Sequence, residues 1–289
     1  MTQRTLRRWA PYLYLAPFFT LFALFWLGPI ASSFWYSFTS WNVSGAAPFV
    51  GLDNYRALFT DPRFLKALRN TLVFWAFYTA IMVSMALSAA IVIHATSVRF
   101  KGFFRASIFL PVTISMAVVA IIFEMVFARG TGLLNLLLTG VGLARVDWLG
   151  NRDVALYSII LVKVWRAFGY YSLILLAGLA AIPKELYEAA RVDGASWWQG
   201  VTRITLPLLR PVLAFVMIMS SIWALELFDE PYILTGGGPA DATLSITIYL
   251  YQHSFQFMRL GYGSAVAFTL TAIIVLIAVI EKRVVDRDN

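Results

Sequence analysis

The sequence predicts an all-α, polytopic membrane protein with six transmembrane helices and both termini in the cytoplasm. Three observations lead there. Of 289 residues, 60% are hydrophobic and 13% charged, against roughly 25% charged in soluble domains. Several apolar runs exceed the ~20 residues needed to cross a bilayer. Basic residues gather at the ends of those runs on one side, as cytoplasmic flanks do. The formal net charge of +8 therefore reads as membrane flanking, not as a nucleic-acid surface. There is no cysteine, which removes disulfides and thiol catalysis. His94 and His253 are far apart and lack companions, which argues against a zinc site.

Arg4, Arg7 and Arg8 precede an apolar run from Trp9 to about Phe38. Signal peptides also begin with charge, but this run is too long and no small-residue cleavage site follows, so it reads as a retained first span. Pro17 and Gly28-Pro29 predict kinks in it, tolerable where neighbouring helices supply hydrogen bonds. Thr39 to Leu68 is a polar excursion. Within it, Gly51-Leu52-Asp53-Asn54-Tyr55 and the amphipathic Arg56 to Phe59 predict a short helix along the outer interface. The second span runs from Arg69 to about Ala95. A basic turn of Arg99, Lys101 and Arg105 leads to a third at about Ala106 to Phe127. The loop from Ala128 to Asp153 is glycine-rich and moderately apolar, suited to dipping back towards the membrane. The fourth, fifth and sixth spans cover about Val154 to Ile182, Leu208 to Leu227 and Gly263 to Ile280, leaving Lys282, Arg283 and Arg287 at the end. Six spans place thirteen Lys and Arg residues on the side of both termini and eight on the other. That bias sets the termini and the loop 183–207 in the cytoplasm. The whole chain, 1–289, reads as one transmembrane domain.

Residues 183–207 are a charged island between two apolar runs. Pro183 suits a first helical turn. Lys184 to Arg191 follows as helix, with Leu186, Ala189 and Ala190 at i, i+3, i+4 spacing on one small-residue face. Gly194 can take the left-handed conformation that ends a helix. Ser196 can cap a second helix through Trp197 and Trp198, which Leu206-Pro207 closes. A polar turn between spans is the plain alternative.

Glu188-Ala189-Ala190, Asp193-Gly194-Ala195 and Ile204-Thr205-Leu206-Pro207 resemble, in residue type and spacing, the signature loop of ABC importer permeases. In that family the loop forms coupling helices that dock into a cleft of a cytoplasmic ATPase. The resemblance implies that Glu188 and Asp193 make polar contacts there, with Gly194 setting the angle between the helices. Val201 departs from the family, which usually places a Phe at that position, and is expected to loosen one packing contact with the ATPase.

No ATP-binding fingerprint accompanies the loop. Gly236-Gly237-Gly238 lacks the following Lys and Ser/Thr of a phosphate cradle and falls in an outer loop. No nucleophile and base stand in a recognisable arrangement, so the chain is not expected to be an enzyme. Ionisable groups at membrane depth suggest function by default. Glu124, Lys163, Arg166, Glu226, Asp229 and Glu230 lie there. One reading is that Lys163 or Arg166 neutralises Glu124 or Glu226, since buried charges pair. The other is that some of them line a polar cavity.

Phe228-Asp229, Leu234-Thr235-Gly236-Gly237-Gly238-Pro239, Thr243 and Tyr249 to Phe255 resemble the carbohydrate, maltose-type branch of these permeases. The resemblance implies substrate contacts at Trp165, Tyr170 and Glu226, with Arg166 and Asp229 beside them. Glu226 stands where that branch uses an amide, and Arg166 leaves room for an anionic substrate such as a phosphorylated polyol. It further implies a second homologous permease, ATPase subunits that hold ATP and Mg, and an extracytoplasmic substrate-binding protein. No cofactor is expected on this chain, which would sit in a bacterial or archaeal cytoplasmic (inner) membrane. The competing class is an ion- or proton-coupled secondary transporter with Glu124 and Glu226 as relays, against which the cytoplasmic motif loop speaks. A membrane scaffold is a third reading, disfavoured by the intramembrane charges.

Overall fold

Apolar side chains that recur through long uninterrupted runs leave the backbone no partner but itself, and the chain answers with helices. The computed structural model describes residues 3–43, 45–95 and 100–286; Arg99 and Arg287 of the expected basic flanks lie outside them. Apart from one isolated bridge between Thr39 and Phe49, the regular elements among the described residues are helical. They fall into two units, Met1–Asp61 with Leu250–Thr269, and Pro62–Tyr249 with Leu270–Asn289.

The first unit begins with α1 (Gln3–Phe22), a π-helical stretch Ala23–Leu27 and α2 (Gly28–Tyr36). The expected disturbance at Gly28-Pro29 is this π turn, in which the Gly28 amide donates to the Ala23 carbonyl. After α2, the short helix α3 (Asp53–Thr60) matches the anticipated surface helix. Asn54 secures it, donating to the Ser37 and Thr39 carbonyls at 2.9 and 2.8 Å. Gly261 lies so close to the Thr39 carbonyl that a Cβ would overlap it.

The second unit opens with α4 (Pro62–Ala95), seven residues earlier than the expected span, with Pro62 at its first position where no amide bond is lost. The third expected span is not one helix. It is α5 (Lys101–Thr113) and α6 (Met116–Phe127), bent by 98°. Pro111 withholds one ladder bond, and the β-branched Val112, Thr113 and Ile114 that follow are stiff at χ1. Thr113 then turns its hydroxyl back onto the Leu110 carbonyl at 2.7 Å. In the loop 128–153, α7 (Leu133–Gly140) is tied down by buried Asn135. Asn135 donates to the Ala128, Arg129 and Val146 carbonyls and accepts from the Val146 amide and the Trp148 indole.

Helix α8 (Ala155–Ala180) is the centre of this unit. Ile159, Leu175 and Leu179 join Phe74, Tyr78 and Met82 of α4 and Val119 and Phe123 of α6 in one apolar core. Small residues let the backbones approach, as between membrane helices. A Cβ at Gly169 would overlap the Ile108 carbonyl, and Gly178 lies under Leu209 and Val212. Next come α9 (Lys184–Val192), α10 (Trp197–Gly200), a π turn Val201–Thr205, α11 (Leu206–Leu225), α12 (Asp229–Thr235) and α13 (Ile246–Tyr251). The N-terminal end of α4 clasps the loop between the last two: Arg63 grips Asp241 with two bonds, and Asn70 donates to the Asp241 and Leu244 carbonyls. Helix α14 (Leu260–Asp286) closes the chain and extends beyond the expected sixth span, so that Glu281 is buried within it. Among the described residues, five helical stretches are long and apolar enough to cross a membrane, or six if α5 and α6 count as one.

Candidate functional site

The loop 183–207 folds as a helix, a sharp turn and a second helix. Helix α9 ends at Val192, and Gly194 adopts φ +80°. The Gly194 amide bonds the Arg191 carbonyl at 3.1 Å and the Ala195 amide the Ala190 carbonyl at 2.8 Å, the paired bonds of a Schellman turn. Ser196 caps α10 reciprocally: its hydroxyl accepts from the Gln199 amide at 3.3 Å, and its own amide donates to Gln199 Oε1 at 2.7 Å.

The second helix does not close at Leu206-Pro207. The Leu206 amide reaches back five residues to the Val201 carbonyl, and the chain runs on into α11. Pro207 has no amide to continue the α ladder, and one extra residue in the preceding turn accommodates it. Of Leu186, Ala189 and Ala190, expected on one small-residue face of α9, Ala190 alone is turned inward. Leu186 and Ala189 are exposed, whereas Tyr187 and Ala190 are half-buried. Tyr187 decides this, since its hydroxyl lies 2.9 Å from buried Thr205 Oγ1. A Tyr three residues before a small residue was the available signal.

Glu188, Asp193 and Gly194 are exposed, and Ala195, Ile204 and Leu206 half-buried. Pro207 is exposed. Val192, 88% exposed, and Trp197 and Trp198, both above 60%, present apolar surface on this charged loop. Val201, expected to loosen one packing contact with the ATPase, points inward at 7% exposure.

A second constellation lies on α8. Lys163 and Arg166, one turn apart on one face, converge on Glu230, whose side chain is fully buried. Lys163 Nζ is 2.9 Å and Arg166 Nη1 3.5 Å from Glu230 Oε1. The neutralising carboxylate is thus Glu230, and neither Glu124 nor Glu226, both of which are exposed. Helix α11 stops at Leu225 with Glu226 as its cap, and α12 then carries Glu230 onto α8. Trp165 is half-buried, edge-on to Phe123 at 5.2 Å, and Tyr170 is 40% exposed beside Tyr171. Asp229 is exposed, and neither it nor Glu226 forms an ion pair with Arg166 among the described residues. Sequence reasoning also missed a polar chain between helices. Trp75 donates its indole N–H to Ser221 Oγ at 2.8 Å, and Ser221 donates to Glu281 Oε1 at 2.6 Å.

Comparison with known proteins accords with this geometry. The family described as "binding-protein-dependent transport system inner membrane component" matches residues 86–287. An arabinooligosaccharides transport system permease protein of Bacillus subtilis is 36% identical over 276 residues, covering 95% of this chain and 88% of that one. A trehalose/maltose transport system permease protein of Thermococcus litoralis is 35% identical over 266 residues, covering 92% and 89%. A solved bacterial ABC transporter involved in the import of the acidic polysaccharide alginate contains a chain that superimposes with a TM-score of 0.86 at 26% identity, covering 98% of both chains. Nothing in these likenesses favours a secondary transporter. With the match extending over more than two thirds of its length, the chain belongs to the binding-protein-dependent transport system inner membrane component family, as a permease subunit of an ABC importer.

Proposed function

We propose that this permease carries a sugar or related polyol inward across a bacterial or archaeal cytoplasmic membrane by alternating access. Its partners in this reading are a second related permease, ATPase subunits that bind ATP and Mg, and an extracytoplasmic substrate-binding protein. The observation that carries the proposal is the exposed helix–turn–helix of α9 and α10, with Val192, Trp197 and Trp198 turned outward among charges. Apolar surface on a polar loop marks a protein contact. Glu188, Ala189 and Asp193 would meet the ATPase, while Ala190, Gly194 and Ala195 hold the turn and Ile204, Leu206 and Pro207 transmit its movement into α11. The saccharides named for the relatives support carbohydrate as the cargo.

On the substrate side, Trp165 and Tyr170 offer aromatic faces for sugar C–H surfaces, and Glu226 and Asp229 accept hydrogen bonds from hydroxyls. Arg166, anchored by Glu230, is a positioned donor beside them. The deciding experiment reconstitutes the chain with the ATPase that co-purifies with it. The binding protein is then added with a panel of sugars, polyols and their phosphates. ATP hydrolysis stimulated by one saccharide is the expected result. No co-purifying ATPase, together with uptake that follows an ion gradient, would overturn the proposal.

A further inference from the structure

Along the exposed loop, the ends of α4 and α8 together with α9, α10 and the π turn border an open cavity of about 560 Å³. That volume lies within the ~300–1,000 Å³ typical of small-molecule sites. Its lining is chemically divided. Leu179 and Val201 supply apolar wall, whereas His94, Lys184 and Arg191 supply nitrogen donors against the single carboxylate of Glu188 among the described lining residues. Lys101 and Lys184 both act electrostatically on His94, so a further cation stands nearby. Neither Lys184 nor Arg191 forms an ion pair among the described residues. The cationic, exposed Lys184 and Arg191 with the His94 imidazole, along a recess with an apolar wall, suit a phosphate bearing an organic body.

We infer that this cavity binds a phosphate ester, its phosphoryl oxygens on Lys184, Arg191 and His94 and its body against Leu179 and Val201. A free sugar or polyol phosphate and the headgroup of an anionic phospholipid offer the same chemistry. An occupant would bridge α9 to the ends of α4 and α8. Binding and movement of the loop would then be linked reciprocally. The occupancy itself is independent of which substrate the importer carries.

The test is equilibrium dialysis of labelled glucose 6-phosphate against the full chain in its assembled complex. The complex is held in nanodiscs of phosphatidylcholine, with or without phosphatidylglycerol. Saturable binding is expected, competed by inorganic phosphate and not by glucose. Val201→Phe, which fills the cavity without touching a charge, and Lys184→Gln should each weaken it about tenfold, equivalent to ~1.4 kcal/mol. Arg152→Gln, on the exposed loop before α8, should leave it unchanged. Displacement by phosphatidylglycerol would assign the same site to a lipid headgroup. The inference fails if neither the sugar phosphate nor phosphatidylglycerol binds, or if Val201→Phe binds both normally. Because binding is read directly, that failure is separable from failure of sugar-stimulated ATP hydrolysis.

Discussion

Gly194 holds φ +80° between α9 and α10, and a side chain there would meet no neighbour. Conformation alone therefore limits what the position accepts. A Cβ in the left-handed region costs about 1–2 kcal/mol, and β-branching makes it worse. Gly194→Val is expected to insert and assemble normally but to open the turn, abolishing uptake and its coupling to ATP hydrolysis. Gly194→Asn, which tolerates this conformation, should keep most of both. Undiminished uptake by the Val variant would remove the turn from the mechanism. Glu230 makes a different kind of demand. Glu230→Gln leaves Lys163 and Arg166 uncompensated, for an expected loss of about 3–5 kcal/mol read as a lower thermal unfolding midpoint. Adding Lys163→Met restores the wild-type charge balance and should recover part of that loss. An unchanged midpoint in the single variant would show that the ion pair contributes nothing. The need of Lys163 and Arg166 for a carboxylate was legible in the sequence. That the carboxylate is Glu230, and not the expected Glu124 or Glu226, was not, because it depends on where α11 stops and α12 begins.

At the scale of elements, two of the three π turns among the described residues, Gln252–Gln256 being the other, share a cause. Ala23–Leu27 and Val201–Thr205 are each closed by the residue that precedes a proline, Gly28 and Leu206, whose amide bonds five residues back. Proline cannot donate and crowds the carbonyl four residues earlier, so one extra residue enters the turn. The prolines and the signature spacing were visible in the sequence, but whether the helix stops or widens depends on tertiary anchors. Here Tyr187 holds Thr205 within the widened turn. Pro207→Ala restores the missing donor and should let the ladder return to α register. Losing one residue from the turn rotates α10 by about 100° relative to α11, which misdirects Trp197 and Trp198. The variant should therefore assemble poorly with the ATPase while retaining its fold. Full ATPase co-purification would show that the loop tolerates either register. Hydropathy alone also hid the start of α4, whose first turns carry Arg63 and Lys66 to the loop at 240–241. It likewise hid the bend at Ile114-Ser115, where apolar residues continue across a break in the helix.

For the whole molecule, the basic residues predict an orientation, and the cysteine-free sequence makes it measurable. Helix α8 has 26 residues, about 39 Å at 1.5 Å per residue, so the loop 128–153 and the loop 183–207 leave from its opposite ends. Ala144 and Ala189 are exposed in those two loops, and each can become the chain's single thiol with little change in volume. If the basic flanks face the cytoplasm, Ala144→Cys should react with a membrane-impermeant maleimide in right-side-out vesicles. Ala189→Cys should react only in inverted ones. Binding of the ATPase should then protect the Ala189→Cys thiol and leave the Ala144→Cys thiol reactive. Reversed labelling would place the helix–turn–helix outside, where no cytoplasmic ATPase can reach it, and would sever the signature loop from the coupling role assigned to it. Labelling as expected but without protection would keep the orientation and move the ATPase contact elsewhere on the loop, towards the exposed Trp197 and Trp198.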